Sequence, residues 1–137
     1  FVERALTKKD QNMYRRSALS AYADVDVQTK TSTEKPQELI SLLFEKACVL
    51  MRQSQEQLKR EDTQGFNDST SHAMQIVLGL RGVLDLENGG ELAAQLYETY
   101  TSISAALFKA RAEVDASSIE KLYVALSELK EGWEMVK

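Results

Sequence analysis

Few side chains in this sequence have the chemistry that catalysis or metal binding requires. The only histidine is His72, and Ser69 stands three residues before it, so the Glu-x-x-His pairs of di-iron helix bundles are absent. A serine or cysteine nucleophile would have no histidine base other than His72. The only cysteine, Cys48, can neither close an internal disulfide nor nucleate a zinc site. We therefore expect no enzymatic activity, no metal and no cofactor.

Two local patterns that resemble reactive sites have simpler structural interpretations. Cys48 lies in the apolar run Ala47-Cys48-Val49-Leu50, which predicts a buried and unreactive thiol. Asn88-Gly89-Gly90 lacks the lysine of a phosphate-binding P-loop, and we interpret it as the turn between two helices.

A histidine phosphotransfer module is the one reaction class that His72 leaves open. Such modules are four-helix bundles with an exposed phospho-accepting histidine on a helix. A lysine and a small residue usually follow that histidine by one turn and help to hold the phosphate. Here Ala73-Met74-Gln75-Ile76 follows His72, so both supporting residues are missing. A signalling or regulatory bundle of this kind is kept as the alternative function.

Composition limits the class of protein further. The chain has 137 residues, of which 43% are hydrophobic and 28% charged, which suits one domain with a buried core. One proline and six glycines are few chain breakers, so long helices are expected. The net charge of −4 argues against nucleic acid as the main partner. The longest uncharged run, residues 69–80, is too short for membrane insertion. With no signal-peptide core at the N-terminus and a lone cysteine, a cytoplasmic location is expected.

The spacing of apolar residues predicts an all-α, antiparallel up-down four-helix bundle with an N-terminal arm or short helix. Residues 1–22 are predicted to form the arm, residues 23–35 an extended tether, and residues 36–137 the bundle, which forms a single domain. The predicted helices run from Pro36 to about residues 60–62, from about 68 to 86, from about 91 to 113, and through residues 119–136.

Three details of the helix ends and interiors are predicted as well. Ser117 and Glu120 fit a capping box at the start of the last helix. Asn88-Gly89-Gly90 is expected to end the second helix with a left-handed glycine cap. Gly79 and Gly82 interrupt that helix at a cost, and close packing against a neighbouring helix is the expected compensation.

The first helix has more apolar residues than one buried face can hold. Ten of the thirteen residues in 39–51 are apolar, whereas a bundle helix needs a single apolar stripe. Ile40, Leu42, Phe44 or Val49 must therefore be covered by something other than the neighbouring helices. Tyr97 and Phe108 add apolar surface on the third helix. The arm, a homodimer or a partner that binds in a groove are three ways to cover this excess, and all three remain open at this point.

The order of several motifs resembles the flagellin-specific secretion chaperones, the FliS family. These motifs are Ala21-Tyr22, then Pro36 with Leu39-Ile40 and Leu42-Leu43-Phe44, then Leu86-Glu87-Asn88-Gly89-Gly90-Glu91-Leu92-Ala93, and finally Trp133. The resemblance extends from about Met13 to Val136. Members of the family typically begin at a pair like Met13-Tyr14, so residues 1–12 are an extension, an expression remnant or a partner-derived segment. Lys35 stands where the family usually has a capping serine, and the aromatic pattern of the third helix also departs from the family's.

The resemblance implies a function and a partner. Proteins of this family are helix bundles that bind the C-terminal segment of flagellin in the cytoplasm. They prevent its premature polymerisation and aid its delivery to the flagellar type III secretion apparatus, which makes components of the export gate possible further partners. The resemblance thus implies a chaperone without a catalytic site.

A groove for the flagellin segment is expected around the apolar excess. We also expect Leu19 and Tyr22 of the arm to occupy part of this groove until flagellin displaces them. The predicted groove residues are Leu19, Tyr22, Ile40, Leu43, Phe44, Ala47, Tyr97 and Phe108.

Overall fold

The fold consists of four long α-helices joined by short turns. It is taken from a computed structural model, which describes Ala21 and residues 36–137. The helices are α1 (Pro36–Lys59), α2 (Thr63–Gly82), α3 (Gly90–Glu113) and α4 (Ala116–Val136). No strand is present in this part of the chain, so the predicted all-α class is confirmed.

The helices form an antiparallel ring in which each contacts the next and α4 contacts α1. Two side-chain contacts show that α1 and α4 are antiparallel, because the residue number rises along α1 while that of its partner falls along α4. Trp133 Nε1 donates to Ser41 Oγ at 3.0 Å, and Arg52 pairs with Glu120 at 2.7 Å. The other neighbours are joined by turns of two to seven residues, which also place them antiparallel.

The core lies between the four helices and consists of large, fully buried side chains. Phe44 of α1 and Tyr100 of α3 face each other across the bundle, with ring centroids 6.4 Å apart. Ile119, Leu126 and Trp133 of α4, spaced seven residues apart, are all buried. Cys48 is also buried, and this burial raises the pKa of its thiol, in agreement with the expected unreactive cysteine.

The second helix begins and ends earlier than predicted. It starts at Thr63 because Asp62 caps it, with a carboxylate that accepts from the Gly65 N–H at 2.9 Å. The polar residues after Asp62 hide this start from the apolar pattern, although Phe66 is fully buried. The helix ends at Gly82, since the backbone then turns at Val83.

The segment between α2 and α3 is held by Asp85 and does not contain the predicted glycine cap of α2. The Asp85 carboxylate accepts from the backbone N–H and the side-chain amide of Asn88, at 3.0 and 2.9 Å. These bonds lower the pKa of Asp85, the side-chain bond being the larger cause. Gly90 has a positive φ of 62°, and it opens α3 instead of closing α2.

The close approach expected at Gly79 and Gly82 is absent, so that prediction is wrong. A Cβ atom added at either glycine would meet nothing within 4 Å. Gly89, in the turn that follows, is crowded by backbone: an added Cβ would lie 2.6 Å from the Asp85 carbonyl oxygen and 2.7 Å from the Cα of Ala21. Ala21 is buried at this turn, and its carbonyl oxygen accepts from the Asp85 N–H at 2.5 Å.

Candidate partner-binding surface

The structure places most of the predicted groove residues of α1 in the core. Ile40, Phe44 and Ala47 are buried and Leu43 is half-buried, so Ile40 and Phe44 contribute no exposed apolar surface. α1 contacts both α2 and α4, and two neighbouring helices can bury more than one apolar stripe. The apolar residues of α1 that do face outward are Leu42 and Val49. Leu19 and Tyr22 lie outside the described residues.

The two predicted residues of α3, in contrast, are exposed. Tyr97 is 38% exposed and Phe108 is 59% exposed. Leu78 of α2, which the sequence did not single out, is 37% exposed. Single large apolar side chains with this exposure are common on protein surfaces. Several of them that lie together in one patch indicate a partner-binding site.

Tyr97 and Phe108 lie on the side of α3 that faces α2. Two hydrogen bonds define how these helices align: Arg81 Nη1 donates to Thr101 Oγ1 at 3.0 Å, and Arg111 Nε donates to the Asn67 carbonyl at 3.3 Å. Residues three, four and seven apart share a helix face, which gives one stripe on each helix. We call the resulting surface the α2–α3 flank; it consists of Met74, Leu78, Arg81, Tyr97, Thr101 and Phe108.

Arg81 occupies a fixed position within this flank. Its guanidinium carbon lies 4.8 Å from the centroid of the Tyr97 ring, which is cation–π geometry. The hydroxyl of Thr101, which accepts from Arg81, donates in turn to the Tyr97 carbonyl at 2.8 Å. The flank is therefore an apolar surface with an oriented positive charge at Arg81, and a second guanidinium, that of Arg111, is bonded to Asn67 beyond Phe108.

A groove lies between α3 and α4. These two helices make the sparsest contacts of the four neighbouring pairs and leave a space of about 610 Å³. Ile103, Ala125 and Leu129 contribute apolar side chains to this groove, while Glu98 and Glu128 contribute carboxylates. The two acids make this groove a poorer place than the α2–α3 flank for a strongly apolar partner segment.

The surface between α1 and α4 satisfies its own charges. Arg52 lies over the Tyr123 ring at 3.7 Å and pairs with Glu120, which also accepts from Gln55 at 2.9 Å. The bonds from Gln55 and Arg52 lower the pKa of Glu120. The charged groups of this network already bind one another, so few hydrogen-bonding groups in it remain for a partner.

The described residues offer no constellation for catalysis. His72 is exposed on α2, and Ile76, one turn later, is half-buried in place of a phosphate-binding lysine. Within residues 36–137 and Ala21, no group of His, Cys, Asp or Glu side chains is placed to hold a metal ion. None of the four described helices combines the length and the apolar character needed to cross a membrane.

Comparison with known proteins identifies the family. The family model described as flagellar protein FliS matches residues 18–137. The chain belongs to the FliS family. The resemblance found in the motifs of the sequence is thereby confirmed, and with it the class of flagellar secretion chaperones.

Relatives of this FliS-family chain match it over most of their length. The flagellar secretion chaperone FliS of Salmonella typhimurium is 33% identical over 125 residues, covering 90% of this chain and 93% of the relative. The flagellar secretion chaperone FliSB of Pseudomonas aeruginosa is 32% identical over 122 residues, covering 89% and 97%. That of Escherichia coli is 26% identical over 123 residues, covering 89% and 90%.

The sequence of this FliS-family chain contains little that predicts the surface positions of Leu78 and Arg81. Leu78 lies off the apolar stripe formed by Ala73, Val77 and Leu80, and this offset was the one available signal. Arg81 carries no such signal, because a basic residue in the last turn of a helix is common and favourable. Its place beside Tyr97 depends on how α2 and α3 pack.

Proposed function

We propose that this chain is a cytoplasmic export chaperone for flagellin. In this proposal it binds the C-terminal segment of flagellin, prevents premature polymerisation and aids delivery to the flagellar type III secretion apparatus. Membership of the FliS family supports the export role. The observation that carries the choice of surface is that three exposed large apolar side chains, Tyr97, Phe108 and Leu78, share one flank, as the spacing along α2 and α3 places them.

The flank has the dimensions of a short helix-binding site. Tyr97 and Phe108 are eleven positions apart, which corresponds to roughly 16 Å along the axis of α3. An amphipathic helix of about three turns spans that distance and presents apolar anchors at i, i+4, i+7 and i+11. Each square ångström of apolar surface it buries contributes about 25 cal/mol, which offsets the entropy lost when the segment becomes ordered.

Binding alone is sufficient for the chaperone role. The apolar residues that a flagellin segment presents to the flank are the kind that mediate contacts between subunits in a filament. While they are buried on the chaperone they are unavailable for those contacts, and release exposes them again. Components of the export gate are proposed as further partners, since delivery requires that the complex be recognised.

Co-purification with flagellin tests the proposal. Flagellin that retains its C-terminus should be retained by this chain, whereas flagellin that lacks about its last forty residues should not. The number forty follows from the roughly 1.5 Å rise per residue and the length needed to wrap a small bundle. Retention of both forms to the same extent would contradict the proposal.

A pair of charge insertions tests the surface. Phe108→Glu places a charge in the flank, and we expect the affinity for flagellin to fall by about tenfold or more, as for loss of an interface anchor. Met135→Glu is the matched control, because Met135 is exposed to a similar extent, 60%, but lies on α4. If both variants bind flagellin as the unaltered chain does, the α2–α3 flank is not the binding surface.

A further inference from the structure

Arg81 lacks a carboxylate partner in the described part of the chain. The ion pairs found there involve Arg52, Lys59 and Lys137, and none of them reaches the α2–α3 flank. A guanidinium has five N–H donors. One nitrogen, Nη1, donates to Thr101, and Tyr97 covers one face of the group. The side chain is half-exposed, which leaves it open to solvent.

Covering the flank would remove that solvent. A partner that contacts Tyr97 and Leu78 must also cover the guanidinium between them, because Arg81 lies against the Tyr97 ring and three residues from Leu78. A charge that is buried without an opposite charge is strongly unfavourable. A carboxylate from the partner restores the balance and can bind the planar guanidinium through two parallel N–H···O bonds.

We propose that Arg81 determines which helix the α2–α3 flank accepts, by pairing with an aspartate or glutamate of the bound segment. This inference rests on the proposed function and adds a charge requirement to it. Tyr97 and Thr101 hold the guanidinium in place before the partner arrives, so little side-chain entropy remains to be lost on pairing.

The geometry also specifies where the acidic residue lies in the partner. Thr101, which binds Arg81, and Phe108 are seven positions apart on the same face of α3, or roughly 10 Å along its axis. A helix lying along α3 covers that distance in seven of its own residues. The bound segment should therefore carry an acidic residue and a large apolar residue seven positions apart.

Calorimetric titration of a synthetic flagellin C-terminal segment into the full chain tests this requirement. We expect Arg81→Gln to weaken binding by about tenfold or more and to reduce the dependence of affinity on salt. Arg60→Gln removes the same charge from an exposed position in the α1–α2 turn, and its affinity should stay within about twofold of the unaltered chain. Circular dichroism establishes that each variant keeps its helices.

A charge exchange identifies the partner residue. Arg81→Glu should abolish binding of the unaltered segment, and one lysine substitution among the acidic residues of the segment should restore it. That residue should have a large apolar residue seven positions away. If Arg81→Gln binds as the unaltered chain does, or if no exchange restores binding to Arg81→Glu, the charge requirement is overturned while the proposed function stands. If the unaltered chain does not bind the segment, both are overturned.

Discussion

At the scale of single residues, Asp115 shows how tertiary contacts choose between two good capping residues. The sequence predicted Ser117 as the cap of α4, paired with Glu120. In the structure the Asp115 carboxylate accepts from the Ser118 hydroxyl at 2.7 Å and from the Ser118 N–H at 3.2 Å. The predicted capping box does not form, because α4 already begins at Ala116, which places Ser117 inside the helix, and Glu120 accepts from Arg52 and Gln55 of α1 instead. The capping-box prediction is therefore wrong.

Substitution of the two candidate caps distinguishes them. Asp115→Ala should lower the melting temperature by a few degrees, since the first turn of α4 loses its acceptor, and Ser117→Ala should leave it nearly unchanged. The hydrogen bonds from Ser118, first from its side chain and then from its backbone, lower the pKa of Asp115. A carboxylate whose pKa is lower in the folded than in the unfolded chain stabilises the fold at pH values above its unfolded pKa of about 3.9. That stabilisation is lost as the pH falls through the folded pKa. Thermal melts should therefore show the difference at pH 7 and a smaller one below about pH 4. An equal effect of the two alanines would contradict the assignment.

At the scale of elements, α2 was the helix that its sequence described least well. Its apolar stripe is clear, but both ends were misplaced by several residues, because a polar residue, Asp62, caps its start and the backbone turns at an apolar residue, Val83, at its end. Its two glycines were also misinterpreted, since a glycine in a helix carries no sign of whether a neighbour lies close to it. The space around Gly79 is open, whereas Gly89, in the turn that follows, is enclosed by Asp85, Ala93 and Ala21.

The two kinds of glycine should respond to alanine in opposite ways. Gly79→Ala should stabilise the protein by about 0.5–1 kcal/mol, because alanine is the better helix former and its methyl group meets nothing. Gly89→Ala should destabilise it by about 1–3 kcal/mol, because its methyl group would overlap backbone atoms. Urea denaturation measures both. A stable Gly89→Ala variant would show that the turn can open without cost.

At the scale of the whole molecule, the bundle presents surfaces of different character on its sides. The α1–α4 side has the Arg52–Glu120 ion pair, the α3–α4 groove has unpaired acids among the described residues, and the α2–α3 flank is apolar with Arg81 stacked on Tyr97 and Arg111 bonded to Asn67. Ala21, between the two arm residues predicted to occupy a groove, is bonded to Asp85 in the turn that joins the helices of the flank. This position favours the hypothesis that the arm competes with the partner.

Point variants in the arm test that competition while the chain keeps its length. If Leu19 and Tyr22 compete with flagellin for its site, replacing both with alanine should raise the affinity for the flagellin segment several-fold, because less of the protein is in a blocked state. Val2→Ala with Leu6→Ala is the matched control within the same arm, and it should leave the affinity unchanged. Titration calorimetry measures both. Equal affinities for all three proteins would exclude a placeholder role.

The sequence by itself determined the number and order of the four helices, the all-α class and the family. Each of these depends on local information: apolar spacing along α1, α3 and α4, the scarcity of chain breakers, and motifs read in order. It also established that apolar residues exceed what one stripe per helix requires.

Only the tertiary structure decided which part of that excess stays exposed. Ile40 and Phe44 are buried, whereas Tyr97, Phe108 and Leu78 remain at the surface, and Arg81 joins them. The reason is that a helix with two apolar stripes can bury either one or both, depending on how many neighbours it has and at what rotation they pack. The number of neighbours and the rotation of each helix depend on contacts between helices, and neither can be predicted from the type or spacing of the residues in one helix.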